Sequence, residues 1–81
     1  MGGITTDLEG NILVVDSGNN CIQKFDNNGN FITKWGSIGL EDGQFSSPIG
    51  IAGDSKGNIY IVDTGNRRIQ KFALKNLKED L

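Results

Sequence analysis

The stretch GITTDLEGNILVVDSGNNCIQKF, Gly3 to Phe25, overlays GIAGDSKGNIYIVDTGNRRIQKF, Gly50 to Phe72, without a gap and at a constant offset of 47 residues. Fourteen of the 23 aligned positions are identical, among them Gly-Asn-Ile, the Asp and Gly-Asn that follow the second apolar run, and the closing Ile-Gln-Lys-Phe. A repeat of this kind changes the meaning of every local pattern, because each copy is one supersecondary unit that buries its apolar faces against its neighbours. A period in the forties matches the roughly 40–50 residues of a four-stranded propeller blade better than the shorter helical repeats.

The elements inside the unit read as strands. Ile12 to Val15 and Ile59 to Val62 are rich in β-branched residues. Each is bounded by Gly-Asn before and by Asp-Ser-Gly or Asp-Thr-Gly after, which is a strand between turns. Cys21 to Phe25 alternates, and Phe31 to Trp35 follows the turn chemistry of Asp26-Asn27-Asn28-Gly29-Asn30. Four strands are therefore expected in the first unit, at about 3–6, 11–15, 21–25 and 31–35. Short Gly- and Asn-bearing turns make neighbouring strands antiparallel.

The segment from Gly36 to Pro48 then carries the chain to a second sheet, for which only the first three strands are present. The expected organisation is a first blade at 1–47, a partial second blade at 48–72 and a tail at 73–81. Leu74, Leu77 and Leu81 give that tail the spacing of one helical stripe, so it is expected as a short helix or a frayed end. The fold class is all-β, built from antiparallel meanders.

Composition narrows the function. The chain has 81 residues with twelve Gly, one Pro, one Cys and no His, and eight basic against ten acidic residues leave a net charge of −2. Cys21 cannot form an internal disulfide, and without His the mixed Cys/His zinc sites and His-based catalysis are closed off. No apolar run approaches the roughly 18 residues that cross a bilayer, and no signal peptide is recognisable, so a cytoplasmic location without membrane contact is expected. Near 80 residues a single core contributes only about 3–5 kcal/mol, so support must come from elsewhere.

The string PIGIAGDSKGNIYIVDTGNRRIQKF from Pro48, with KWGSIGLEDGQF from Lys34 to Phe45, resembles the NHL-repeat family of β-propellers. The resemblance covers Gly3 to Phe72. It implies four-stranded blades that usually close into six-bladed rings and act as scaffolds for protein or RNA partners; some relatives are lyases or hydrolases with metal in the central channel. The chain departs from that pattern in number, since it holds slightly under two blades.

Several residues have expected roles. Asp16 and Asp63 end the second strand of each unit, where a carboxylate can accept N–H groups of the following turn. Asn19 and Asn66 are expected in the left-handed region. Ile4, Ile12, Val14, Ile22 and Phe25, with Ile51, Ile59, Ile61, Ile69 and Phe72, are expected between neighbouring sheets. Trp35 is either a ligand platform or a packed plug.

Two blades leave two apolar faces open, and the repeat makes those faces complementary. The expected consequence is head-to-tail self-assembly, with three chains making a six-bladed ring. The leading functional reading is a non-catalytic scaffold or binding module, whether a natural fragment or an engineered piece, with itself as partner and a protein or peptide as a further ligand. The candidate binding residues are Asn20, Arg67, Arg68, Trp35 and Tyr60. Arg67 and Arg68 either fork onto carboxylate or phosphate, or pair with Asp63 or Asp54.

An enzyme working in the central channel is the second class. Its carboxylates would be Asp7 and Asp54, which could hold Ca²⁺, but no catalytic residue, metal or cofactor is assigned. Single-stranded RNA binding is the third. It would draw on Arg67, Arg68, Lys24, Lys71, Tyr60 and Trp35, and the acidic balance weighs against it.

Overall fold

A computed structural model describes residues 2–73. The first sheet is a meander of β1 (Ile4–Thr6), β2 (Ile12–Asp16), β3 (Cys21–Phe25) and β4 (Phe31–Trp35), in that spatial order. The second has β5 (Pro48–Gly53), β6 (Asn58–Asp63) and β7 (Arg68–Ala73), also in sequence order. All neighbours are antiparallel. The expected strands and their boundaries agree with these elements to within a residue or two. The tail was expected to begin at Ala73, but that residue is the last of β7, paired with Asn58 across the ladder. The helix expected beyond it lies outside the described residues.

Each turn has a chemical cause. Between β1 and β2 the Asp7 carboxylate accepts the N–H groups of Glu9 at 2.8 Å and Asn11 at 2.9 Å. Asp54 does the same for Lys56 and Asn58, and Asp26 for Asn28 and Asn30. A carboxylate holding amides two and four residues on mimics a backbone turn and fixes the hairpin register. Asp7 and Asp54, the two carboxylates considered for a channel, are thus engaged in turns.

The connection from the second to the third strand of each unit is one 3₁₀ turn, at Ser17–Asn19 and Thr64–Asn66. The residue that takes the left-handed conformation is the one after it: Asn20 and Arg67 both have φ 54°. Asn19 and Asn66 were expected there, but their side chains instead bond Asp16 and Asp63 from inside the turn. That Arg67 adopts this conformation without glycine shows how firmly the flanking strands set the turn.

The two sheets pack face to face. The buried core joins Leu13, Val15 and Ile22 of the first sheet to Ile59 and Ile61 of the second, with Phe45 of the connection sealed among them. Trp35, Ile51 and Phe72 complete it. Burying side chains of this size stabilises by about 1.5–3 kcal/mol each.

The packing corrects part of the expected interface. Because side chains alternate along a strand, Leu13 and Val15 face the second sheet while Ile12 and Val14 face away, together with Ile4 and Phe25. On β7, Phe72 faces the core and Ile69 faces away. Leu13, Val15 and Phe45 were absent from the expected set.

Phe45 fills the junction. Its ring lies 6.0 Å from Phe72, which is edge-on to Trp35 at 5.6 Å. Gly36 lets that ring in: it has φ 105°, and a Cβ there would come within 2.6 Å of the Phe45 ring. Phe45→Ala should lower unfolding stability by about 3–5 kcal/mol in urea titration, because the surrounding strands cannot collapse into the space.

Candidate functional site

The connection between the sheets is held by a polar clamp centred on Asp63, whose side chain has no solvent exposure. One carboxylate oxygen accepts the Ser46 N–H at 2.7 Å. The other accepts from Asn66 Nδ2 at 3.0 Å, Arg68 Nε at 2.9 Å and Gln70 Nε2 at 3.2 Å. Burial pushes the Asp63 carboxyl up, but the Ser46 amide, Asn66, Arg68 and Gln70 outweigh it and hold it below the usual carboxylate range. The role expected of Asp63 is therefore corrected: it grips the incoming connection rather than capping the turn that follows, and neither turn has a side-chain cap bond.

The partners of Asp63 reach further. Arg68 donates to the carbonyls of Leu40, Glu41 and Gln44 at 2.9, 3.0 and 2.9 Å. Gln70 donates to the Gln44 carbonyl at 2.6 Å and accepts the Gly43 N–H at 3.0 Å. Asn66 donates to the Gly39 carbonyl at 2.9 Å. A loop that would otherwise leave its backbone groups to water is thereby satisfied by side chains of the next blade. The first blade contributes from the other side: Asn20 Oδ1 accepts the Ser47 N–H at 2.8 Å, and Ser17 Oγ donates to the Pro48 carbonyl at 2.6 Å.

The five candidate binding residues separate into two groups. Asn20, Arg68 and Trp35 belong to the junction; the Trp35 indole N–H is buried there without an acceptor among the described residues. Arg67 and Tyr60 belong to the outward side of the second sheet. The Tyr60 hydroxyl donates to Asp54 Oδ2 at 2.9 Å, and Lys71 Nζ stands 5.9 Å over its ring. That bond raises the Tyr60 pKa, and Asn58 together with Tyr60 and Lys56 holds the Asp54 carboxyl well below its ordinary value.

Nearby, Val62, Thr64, Arg67, Arg68 and Ile69 line a groove of about 480 Å³. The clamp residues Asp63, Asn66 and Gln70 were not among the candidates. Their signal was the shared Asp, Gly-Asn and Ile-Gln-Lys-Phe of the repeat.

Two antiparallel sheets are thus joined through a Gly-Gln-Phe loop that Asp63 and Gln70 of the second copy hold. The chain belongs to the NHL-repeat family. The NHL repeat matches residues 2–25 and 45–72, more than half of the chain and both copies of the internal repeat. No curated protein matches the sequence. NHL repeats build β-propeller modules that bind proteins, and the family is generally a non-catalytic scaffold. Among the described residues no helix is long and apolar enough to cross a membrane.

Two outcomes test the clamp. Asp63→Ala should cost about 3 kcal/mol, since it leaves the Ser46 N–H and the Arg68 Nε–H without their acceptor, whereas Asp16→Ala should cost far less; denaturant midpoints compare them. Acid should weaken the protein through the same group. A carboxyl lowered in the folded state contributes stability that is complete above its unfolded pKa of about 4 and is lost as pH falls through the lower folded value. The midpoint should therefore hold between about pH 5 and 7 and drop below about pH 4, and Asp63→Asn should flatten part of that drop.

Proposed function

We propose that the protein is a non-catalytic binding scaffold whose two NHL blades assemble head to tail with further copies, three chains closing a six-bladed ring. The observation that carries this reading is the fate of equivalent residues in the two blades. Ile22 is fully buried at the internal junction, while its counterpart Ile69 on the outward side of the second blade is 67% exposed. Val15 is fully buried and its counterpart Val62 is 44% exposed. In the other direction, Ile51 packs against the core and its counterpart Ile4 on the outward side of the first blade is 66% exposed.

Each blade thus leaves open the face that the other one covers. The open face of the second blade corresponds to the covered face of the first, and the reverse. Two such faces on one molecule are complementary to each other rather than to themselves, which gives a directional contact that closes into a ring or runs on as a filament. Thr64, at the position where Ser17 donates across the junction, has no cross-blade acceptor among the described residues. Lys24 and Arg68, which would belong to a basic RNA-binding surface, are paired with Asp7 at 3.3 Å and with Asp63 at 2.9 Å, which favours a protein partner over a nucleic acid.

The mass in solution, by light scattering at micromolar concentration, is expected at three times the 8.7 kDa of one chain. Ile4→Glu should disable one face and Ile69→Glu the other, so each variant alone should be monomeric and an equimolar mixture should yield a 1:1 dimer. A monomeric wild-type chain that unfolds cooperatively would overturn the assembly. A single variant that still dimerises would overturn its head-to-tail direction.

A further inference from the structure

Three turns of the chain share one design. Asp7-Leu8-Glu9-Gly10-Asn11, Asp26-Asn27-Asn28-Gly29-Asn30 and Asp54-Ser55-Lys56-Gly57-Asn58 each place an Asp carboxylate on the amides two and four residues on. In each, the Gly takes a positive φ and its N–H donates to the Asp carbonyl, at 3.2, 3.0 and 3.2 Å. The residue before that Gly differs. It is Glu9 in the first, Lys56 in the third and Asn28 in the second, the turn that joins β3 to β4 at the end of the first sheet opposite the clamp.

An Asn followed by Gly carries its own electrophile and nucleophile. The carboxamide carbon is one five-membered ring away from the next main-chain nitrogen, and glycine has no side chain to obstruct the approach. Asn11, Asn19, Asn20, Asn30, Asn58 and Asn66 each engage the side-chain amide in a hydrogen bond, and each precedes a larger residue than Gly. Asn28 is exposed, and its carboxamide has no hydrogen-bond partner among the described residues. No atom stands within 4 Å of the space that a Cβ on Gly29 would fill. Asn27 is exposed as well, but Asn28 follows it rather than Gly.

We propose that Asn28 is a site of self-modification, at which the Gly29 nitrogen attacks the Asn28 side chain and the residue passes through a cyclic imide to aspartate and isoaspartate. Hydroxide removes the Gly29 amide proton, and the nitrogen forms a bond to Asn28 Cγ. The Cγ–Nδ2 bond breaks, and the side-chain nitrogen takes a proton from water and leaves as ammonia. Water then opens the imide. Cleavage of the new bond to Cγ gives Asp with the normal main chain, and cleavage of the old peptide bond leaves the chain running through the side chain. One water is consumed and one ammonia released.

The turn sets the pace. In the folded hairpin the Gly29 N–H is committed to the Asp26 carbonyl, and the Asn28 N–H to Asp26 Oδ1 at 2.9 Å. The reaction therefore proceeds from molecules whose turn is open, and Asp26 is a positioning residue that keeps that fraction small. The backbone and side-chain amides of Asn30 hold the Asp26 carboxyl below its ordinary range, so it is charged and engaged at neutral pH.

The two products act differently on the fold. Asp at this position places a carboxylate where the Asp7 turn carries Glu9. Isoaspartate adds a main-chain methylene before Gly29. That takes the Gly29 N–H off the Asp26 carbonyl and loosens the hairpin beside the edge-on rings of Phe25 and Phe31.

The test incubates the full chain at neutral and at mildly alkaline pH and follows its peptides by mass spectrometry, with electron-activated fragmentation to separate the two acids. Conversion is expected first at Asn28, to both products, and faster at the higher pH; Asn28→Gln should abolish it. Asp26→Ala should speed it about tenfold or more, the effect of losing a hydrogen bond to a charged acceptor. Asp54→Ala opens the matching turn of the second blade and should leave the rate at Asn28 unchanged. Asn28→Asp should keep the urea midpoint of the unmodified chain, and the isolated isoaspartate form should unfold earlier.

An Asn28 that survives at alkaline pH overturns the proposal, and so does earlier conversion at any other described asparagine. Equal acceleration by Asp26→Ala and Asp54→Ala would tie the reaction to global unfolding and overturn the control by the turn.

Discussion

The buried carboxylate of Asp63 is where strand, turn and connection meet. It accepts a main-chain amide from the loop leaving the first blade and side-chain donors from its own blade, so the loop cannot move without leaving polar groups unpaired away from water. Phe45 follows from that hold. Once Ser46 and Gln44 are fixed, the ring between them is driven into the space beside Gly36, against Phe72. The apolar seam between the sheets and the polar clamp at their end thus form one junction, in which the clamp sets the register and the seam supplies most of the burial.

The alternation of side chains along a strand makes each blade two-sided, and the offset of one blade against the next makes those sides unequal. Residues that are equivalent in sequence end in opposite surroundings. Ile22 is sealed and Ile69 stands in water; Asp63 is sealed and Asp16 is not. Several covered positions have an exposed twin, Ile22 with Ile69 and Val15 with Val62 among them. The open positions carry the same chemistry as the covered ones, with a few changes such as Tyr60 for Leu13 and Cys21 for Arg68.

Much of this was legible in the residues. The 47-residue repeat, the β-branched runs and the Asp/Asn/Gly turns led to the strand order and to the family, because such signals are local and act within a few residues. The direction in which each strand faces was harder to read. Ile12-Leu13-Val14-Val15 is apolar at every position, so no alternation tells which side is covered. Ile4, Val14 and Ile69, expected between neighbouring sheets, lie on faces that no second sheet among the described residues covers, while Leu13 and Val15 form the seam. The left-handed residue was misplaced by one position because Asn19 and Asn66 have the composition for it, but the strands on either side put the reversal at Asn20 and Arg67.

By itself the sequence determined the repeat, its strands and the turn chemistry. Only the tertiary structure decided what the signature residues do. Asp63 and Gln70 are read locally as turn and strand positions, yet their partners are 17 and 26 residues away, on a loop brought to them by the packing of one sheet on another. A hydrogen bond across that separation depends on the angle and register between two sheets, which many side chains set together. No short segment encodes it.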